Sequence, residues 1–519
     1  MKQNLFLFVI SFFVNFPGIS QSYTWALTDT TYYSGRDVIT SEVIDHSGNL
    51  IVACAPYDEH YRAYYIDIIK FDASHTRLWT KRINSQATAG LNIGLCVDSY
   101  NNILITSDYS GILKYDGVLY VNHGGGNMFL IKVDSAGNFL WEKHTTGSHC
   151  WGRKVSCDGQ DNIYIAGNIS AYAYFDSVYV NTPYVVYNYI AKYTGSGQFL
   201  WVKNGSGNSQ SGYGLGLKTD KTGNSYLSGV FSHNIYFDSL FLQTFGSSGY
   251  RDAYLAKIDS SGKWLWAINT GGIGWDGFYN IDLDTTGNIY MMGFFGSPTA
   301  TFGSTTLTNA SNDDFYLAKY DSSGNNIWAV RGWKNGFSES FCVDKDGNAY
   351  LKSNNKFIYK YDSNGNYSWS ASASAWNSAM IADDSGNVYV CGTFTDSVSF
   401  GNYHLVGKYP GYLQVFVAKI EFPASIINVN EMLKADLFNA YPNPAISYVT
   451  VSCMMNEKQN GVTLRVVNSS GTIVHLESIN GTSSFTRQLN VENLAPGIYF
   501  IELSSNDGKT GQAKKIIVQ

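Results

Sequence analysis

Short apolar runs separated by polar turns fill most of the chain. Two typical runs are NIYMMG at 288–293 and FYLAKYD at 315–321. Runs of this length, bounded by Asp, Gly and Asn, favour β-strands over helices. Those that are apolar on both alternating faces are typical of strands covered by neighbours on each side. The pattern therefore predicts an all-β protein.

A repeat underlies this pattern. An Asp-x-x-x-Asn turn followed by a strand-like run recurs seven times, at Asp45/Asn49, Asp98/Asn102, Asp158/Asn162, Asp220/Asn224, Asp284/Asn288, Asp344/Asn348 and Asp383/Asn387. Seven lysines follow at regular places: Lys70, Lys132, Lys192, Lys257, Lys319, Lys360 and Lys419. Nine positions after the lysine, six units carry a tryptophan: Trp79, Trp141, Trp201, Trp266, Trp328 and Trp369. Each unit is predicted to form four strands, A to D, with the lysine on strand C and the tryptophan on strand D.

The seventh unit lacks its tryptophan, since Asn428 occupies the expected position. Trp25 supplies the missing residue, because its spacing from Asp45 is close to that found between the other units. A linear array has no reason to divide one unit between its two ends, whereas a closed ring removes an open sheet edge in this way. We therefore predict a seven-bladed β-propeller at residues 22–422, closed by its N-terminal strand.

Turn chemistry explains the Asp and Gly of the repeat. Asp caps a type I turn, and Gly takes the left-handed conformation that a hairpin bulge needs. A calcium loop is the alternative interpretation, but a four-residue hairpin supplies few of the oxygen ligands that Ca²⁺ requires. The repeated lysine and the residue two positions later, acidic in six units, are interpreted as structural pairing between blades rather than as a reactive pair. The tryptophan is predicted to plug the interface between blades.

The repeat resembles a known family. Asp-x-x-Gly-Asn-[Ile/Val]-Tyr-x-x-Gly, followed by Leu-Ala-Lys-Tyr-Asp-x-x-Gly-x-x-x-Trp, is similar to the SBBP-type β-propeller repeat of bacterial secreted proteins. Units 1, 3 and 6 depart from it, for example at Asp72-Ala-Ser-His75 and Thr194-Gly-Ser-Gly197. The resemblance implies the fold and no single activity.

Both ends of the chain carry export signals. Lys2, the apolar run from Leu5 to Phe16 and small residues near Ser20 predict a signal peptide at 1–20. A membrane anchor is the alternative, but the apolar run is short for a span. No later segment has the length and hydropathy of a transmembrane helix.

The repeat stops at a linker at 423–436. The segment that follows, 437–519, has alternating apolar and polar runs typical of a small β-sandwich. Its motifs are Tyr441-Pro442-Asn443-Pro444, Asn468-Ser469-Ser470-Gly471, Leu494-Ala495-Pro496-Gly497-Ile498-Tyr499 and the terminal Lys514-Lys515-Ile516-Ile517-Val518. They resemble the C-terminal sorting domain of the type IX secretion system. That resemblance implies a Bacteroidetes source, the type IX machinery as partner, passage through the periplasm to the outer-membrane surface or medium, and removal of this domain. An ordinary β-sandwich is the alternative.

Composition excludes some functions. The net charge is −6 and only 15% of residues are charged, which excludes a basic field for nucleic acid. Nine histidines show no metal-ligand spacing, so no metal and no cofactor are expected. The seven cysteines are expected to be mostly unpaired thiols. Cys150 with Cys157 is the pair best placed for a disulfide. A monomer is expected.

Function is predicted for one face of the propeller. The A–B and C–D turns share a monotonous face, while the B–C connections and D–A loops share a variable one. The D–A loops carry Tyr33, Trp151, Tyr213, Trp275, Trp333 and Trp376. Exposed, these rings would bind a glycan or a protein; buried, they would only cap the interfaces between blades.

No nucleophile elbow, histidine–acid cluster or metal motif is found, so a non-catalytic binding module is favoured over an enzyme. The alternative is a glycosidase or lyase whose acids come from several blades, which a pair of channel-facing carboxylates would support.

Overall fold

The protein is described here by a computed structural model. It describes residues 22–28, 39–421 and 435–519, apart from gaps at 56, 59–62, 75, 88–91, 122–124, 208–214, 247–248, 311–312, 335–337, 354–356, 373–375, 384, 401–402, 408–413, 469–472 and 506–509. The described residues form strands and turns and contain no helix. They divide into two compact units, one at Ser22–Glu421 and one at the C-terminal end of the chain.

The described residues of the larger part form seven four-stranded antiparallel units, in which strands pair in the order A, B, C, D. The A strands are β2 (Ile39–Ile44), β7 (Gly94–Val97), β13 (Thr146–Cys157), β17 (Leu215–Thr219), β23 (Asp276–Leu283), β29 (Ser338–Val343) and β33 (Trp376–Ala382). The B strands are β3 (Leu50–Cys54), β8 (Ile103–Tyr109), β14 (Ile163–Phe175), β18 (Ser225–Ser232), β24 (Ile289–Phe295), β30 (Ala349–Ser353) and β34 (Val388–Phe394).

The C strands are β5 (Ala63–Phe71), β11 (Asn127–Val133), β15 (Val178–Tyr193), β21 (Arg251–Ile258), β27 (Asp314–Tyr320), β31 (Phe357–Tyr361) and β37 (Gln414–Glu421). The D strands of units 1 to 6 are β6 (Arg77–Ala87), β12 (Phe139–His144), β16 (Phe199–Asn204), β22 (Trp264–Gly272), β28 (Asn326–Lys334) and β32 (Tyr367–Ser372). In unit 7 the fourth strand is β1 (Ser22–Thr28) from the N-terminal end, which pairs with β37 and places Trp25 opposite Lys419.

Neighbouring units meet through their A strands. β2 lies beside β7, and the contacts continue in order through β13, β17, β23 and β29 to β33, which in turn lies beside β2. The B and C strands between these contacts are buried on both faces: every residue of β8, β11 and β27 is buried. Apolar side chains of one unit therefore pack against the next, as Leu104 and Met128 of unit 2 do with Ile163 and Ile165 of unit 3.

The B–C connections of five units form additional hairpins. These are β9 (Ile112–Tyr115) with β10 (Val118–Val121), β19 (Asn234–Phe237) with β20 (Leu240–Gln243), β25 (Thr299–Phe302) with β26 (Thr305–Thr308), β35 (Ser397–Phe400) with β36 (Tyr403–Val406), and the outer parts of β14 and β15. In units 2 to 5 a two-residue turn joins the two strands, and the first turn residue has a positive φ: Asp116, Asp176, Asp238 and Gly303. A short strand, β4 (Tyr57–Asp58), pairs with β5 in unit 1.

Two of these hairpins pair with a strand of the preceding unit. β9 pairs with β6, and β25 pairs with β22. Each of these hairpins therefore extends the outer edge of the unit before its own.

In the C-terminal part the described residues form five strands: β38 (Ala435–Tyr441), β39 (Tyr448–Asn468), β40 (Ile473–Asn490), β41 (Gly497–Ser505) and β42 (Thr510–Val518). The long strand β39 pairs with β38 through its first half and with β41 through its second half, while β40 follows both halves. Apolar side chains from both halves, such as Val451 and Leu464, share one core with Ile501 and Ile516.

Candidate functional site

The Asp-x-x-x-Asn turns are internally saturated with hydrogen bonds. In unit 2, Oδ1 of Asp98 accepts the backbone N–H groups of Tyr100 and Asn102, while Oδ2 accepts the Asn102 side-chain amide at 2.9 Å and the Lys132 ammonium at 2.8 Å. The same amide-to-carboxylate bond closes the corresponding turn in the other six units. Because four donors already occupy the two oxygens, these carboxylates act as turn caps.

The repeated lysine and tryptophan reach into the next unit. Lys70 Nζ and Trp79 Nε1 both donate to the backbone oxygen of Ser135, at 3.0 and 3.2 Å. Three other junctions share this arrangement: Lys192 and Trp201 on Ser260, Lys257 and Trp266 on Ser322, and Lys319 and Trp328 on Ser363. The repeated lysine and tryptophan therefore connect one unit to the next.

The acidic partner of the lysine lies elsewhere than the sequence suggested. Lys132 pairs with the A–B turn residue Asp98, while Asp134, two positions after the lysine, caps its own C–D turn by accepting the backbone N–H groups of Ala136 and Asn138. Both aspartates accept equivalent turn amides, but Asp98 is buried and its Oδ2 also accepts the Lys132 ammonium at 2.8 Å.

Of the predicted aromatic site residues, Trp275 is the clearest candidate. Its side chain is 52% exposed, and the Arg251 guanidinium lies 5.5 Å from its ring centroid. Trp151 is half-buried beside Arg153 and His149. The backbones of Trp333 and Trp376 lie in β28 and β33, but their side chains, like Tyr33 and Tyr213, are outside the described residues.

Sequence reasoning missed the tyrosines on the unit 3 hairpin. Tyr174 and Tyr179 are cross-strand partners with ring centroids 5.1 Å apart, and Tyr172 lies 6.0 Å from Tyr179. All three are exposed, whereas Phe175 on the opposite face is fully buried. The alternation in AYAYFDSVYV carried this signal, since residues two apart share a strand face.

A second pair of exposed rings lies on the unit 4 hairpin. Tyr236 stands opposite Phe241, with centroids 4.9 Å apart. We refer to the hairpins of units 3 and 4 as the aromatic hairpins. Phe245, Tyr250 and Ile273 in the chain segments that follow are exposed as well.

Equivalent positions in other hairpins carry different chemistry. In unit 5 the outward positions are Thr299, Thr301, Thr306 and Thr308, and in unit 2 they are Ile112, Lys114, Leu119 and Val121. The hairpin therefore forms without outward aromatic rings. Their presence in units 3 and 4 is not required by the backbone.

Four charged side chains on the A strands interact electrostatically: Glu42, Lys154, Lys218 and Asp282. Lys218 pairs with Asp282 at 2.7 Å, and the Met380 backbone amide donates to Glu42. Burial raises the pKa of Glu42 to about 7, although the positive charges of Lys154 and Lys218 oppose this. Burial also lowers the pKa of Lys154. Sequence reasoning assigned none of these residues, because scattered charges on separate repeats carry no motif.

A buried carboxyl group lies under the loop that carries Phe245. Asp252 is fully buried and accepts the Phe245 backbone N–H through Oδ2 at 2.7 Å. Burial raises the pKa of Asp252 to about 7, and the nearby carboxylate of Asp276 adds to the effect. This group anchors the end of the connection between β20 and β21.

The sorting motifs meet at the last strand of the C-terminal part. The Asn443 side chain donates to the Lys515 backbone oxygen at 3.0 Å and accepts the Ile517 N–H at 2.8 Å. The Tyr499 hydroxyl donates to the Ala495 oxygen at 2.8 Å. Motifs separated by up to 74 residues therefore form one structure around β42.

Residues 439–519 match the family of the secretion system C-terminal sorting domain. The protein is therefore secreted to the cell surface or outer membrane by type IX secretion. Among the described residues, none forms a helix long and apolar enough to cross a membrane.

Other similarities are partial. An uncharacterized WD repeat-containing protein, L264, of Acanthamoeba polyphaga mimivirus is 31% identical over 107 residues, which are 20% of this chain and 8% of that protein. The structure of the Dos1 propeller aligns over 73% of this chain and 77% of its own, with 9% identity and a TM-score of 0.39. A protein of unknown function from Bacteroides caccae aligns over 51% and 79%, with 10% identity and a TM-score of 0.31.

Proposed function

We propose that residues 22–422 form a closed seven-bladed β-propeller of the SBBP type that acts as a secreted, non-catalytic glycan-binding module. The succession of A strands from β2 to β33 and back to β2 supports the ring. The pairing of β1 with β37 supports closure by the N-terminal strand. Export then presents this module outside the cell.

The observation that carries the binding role is the set of exposed rings on the aromatic hairpins. Tyr172, Tyr174 and Tyr179 are between 40% and 52% exposed, although the same hairpin in unit 5 is built with threonines. Exposing three rings side by side costs hydrophobic free energy. A partner that covers them recovers it.

The chemistry of this surface favours a sugar. An aromatic face carries partial negative charge and attracts polarised C–H groups, which a pyranose ring presents on its flat sides. Exposed Asn181 beside Tyr172, and Gln243 near Phe241, offer amide donors and acceptors for hydroxyl groups. The outward positions of the aromatic hairpins are uncharged, so an ionic partner is disfavoured. A protein partner is the alternative ligand.

A screen of the mature protein against a panel of neutral and acidic polysaccharides tests the proposal. The triple variant Tyr172→Thr/Tyr174→Thr/Tyr179→Thr copies the chemistry of unit 5, so it should fold normally and lose at least about tenfold in affinity, as expected from removing hot-spot rings.

The matched control is Ile112→Thr/Leu119→Thr/Val121→Thr on the unit 2 hairpin, which removes exposed apolar area without removing rings. Its affinity should equal that of the wild type. If the wild type binds no polysaccharide, or if both triple variants lose the same affinity, glycan binding by the aromatic hairpins is rejected.

A carbohydrate-active enzyme is the second candidate, and Glu42 is the observation that favours it. A carboxyl group whose pKa is near 7 can serve as a general acid, and Asp282 supplies a second carboxylate on the A strands. Release of reducing ends from a bound polysaccharide by the wild type, and its loss in Glu42→Gln with binding intact, would establish this role.

A further inference from the structure

Two cysteine thiols from neighbouring units are in direct contact. Cys96 lies on β7 and Cys157 at the end of β13, and the Cys96 thiol donates to Cys157 Sγ at 2.9 Å. A disulfide requires about 2.05 Å between the sulfurs, so a movement of about 0.9 Å joins them. Both residues are half-buried, which leaves the pair accessible to a small or flexible reagent.

The backbone explains this proximity. A Cβ atom on Gly94 would lie 3.0 Å from Lys154 Cα and from the Val155 backbone nitrogen, so β7 and β13 approach closely. Beyond the cysteines, Ser99 donates to Asp161 through its backbone N–H and its hydroxyl, at 2.8 and 2.6 Å. The two strands are therefore held together on both sides of the thiol pair.

The pair expected from the sequence is excluded by the same strand. Cys150 and Cys157 both lie on β13, seven residues apart, which corresponds to roughly 23 Å along an extended chain. Cys150 is fully buried. Cys342 is buried as well.

We propose that Cys96 and Cys157 form a disulfide after export, which staples units 2 and 3 at the end of their A strands. Both S–H bonds break, one S–S bond forms, and two protons and two electrons leave. The acceptor is a protein disulfide or a small-molecule disulfide of the extracytoplasmic space, which is reduced to two thiols. The protein is secreted, and disulfides persist in that environment.

Thiol counting on the secreted protein tests this proposal. Protein purified without reductant is denatured in iodoacetamide, with and without prior reduction, and its intact mass is compared. The wild type should gain two more alkyl groups after reduction, and a non-reducing digest should contain the peptide pair joined at Cys96 and Cys157.

Four variants make the result specific. Cys96→Ser and Cys157→Ser should abolish the difference of two alkyl groups, whereas Cys342→Ser should retain it. Reductant should lower the melting temperature of the wild type by about 5 °C, because a long closed loop is released, and should leave the double variant Cys96→Ser/Cys157→Ser unchanged.

Equal alkylation with and without reduction, or a cross-linked peptide that contains another cysteine, would refute the proposal. The comparison with and without reductant on one protein separates the bond from any packing defect of the serine variants.

Discussion

Lys257 Nζ and Trp266 Nε1 donate hydrogen bonds to a single acceptor, the backbone oxygen of Ser322 in the next unit, at 2.8 and 3.3 Å. The Trp266 ring also packs on Gly324 of the same turn, where a φ of +85° and the closeness of the ring both favour glycine. A charge, a ring and a glycine thus join two units. Because the same junction recurs between units, the same lysine, tryptophan and glycine recur along the chain.

Removing the ring from this junction should destabilise the protein. Trp266 is half-buried, so Trp266→Ala should lower the free energy of unfolding by about 2–3 kcal/mol, less than for a fully buried tryptophan. Trp266→Phe keeps most of the apolar contact and should cost about 1 kcal/mol. Leu265→Ala is the control, since Leu265 is exposed. Guanidinium unfolding measures all three, and equal losses at Leu265 and Trp266 would contradict the junction.

Removing the lysine should be more costly than removing a surface charge. Lys132→Met leaves the Asp98 carboxylate buried with no counter-ion, which should cost about 3–5 kcal/mol. The double variant Lys132→Met/Asp98→Asn should recover part of this loss. Lys345→Met is the matched control, because Lys345 and Asp346 form an exposed pair that contributes less than about 1 kcal/mol. Similar losses for Lys132 and Lys345 would show that the repeated lysine is dispensable.

Stability should fall as pH rises through Asp252. Its pKa is about 7 in the folded protein because of burial, against about 3.9 in an unfolded chain. Between these values the folded state holds the extra proton, so the free energy of unfolding falls by about 1.4 kcal/mol per pH unit from this group. Below about pH 4 the effect disappears. Glu42 and Asp108, whose pKa values burial also raises to about 7, act in the same direction.

Asp252→Asn should make this pH dependence shallower. The amide oxygen can still accept the Phe245 N–H, while the ionisable group is gone. Thermal unfolding between pH 5 and pH 8 provides the comparison. A variant with the same slope as the wild type would mean that Asp252 is ionised in the folded protein.

Processing should remove both ends of the chain. The secreted form is expected to begin near Gln21 and to lack the segment from about residue 430 onward. The reason is that the sorting domain is expected to be cleaved off once the protein has crossed the outer membrane. Intact mass of the extracellular form measures both ends. An intact C-terminus on protein outside the cell would contradict removal of the sorting domain.

The sequence by itself determined the local parts of this protein. An Asp carboxylate and the amides two and four positions later form a turn from residues that are close in the chain, so seven such turns were predictable. Strand alternation followed from the same short-range rules, and the sorting motifs were recognisable because each is a short contiguous segment. The four-strand unit and the pairing of Trp25 with the strand of Lys419 were predicted from spacing alone.

Only the tertiary structure decided which distant residues meet. Lys132 pairs with Asp98 rather than with Asp134, although both aspartates cap their own turns in the same way, because the Asp98 carboxylate is buried beside the ammonium group. Cys157 faces Cys96 of another strand instead of Cys150 of its own, since an extended strand keeps its own residues apart. The exposure of the hairpin tyrosines depends on which face of the hairpin packs against the core. The pKa of Glu42 is raised because several units together bury its carboxyl group. Those properties arise from packing between units, which no single repeat encodes.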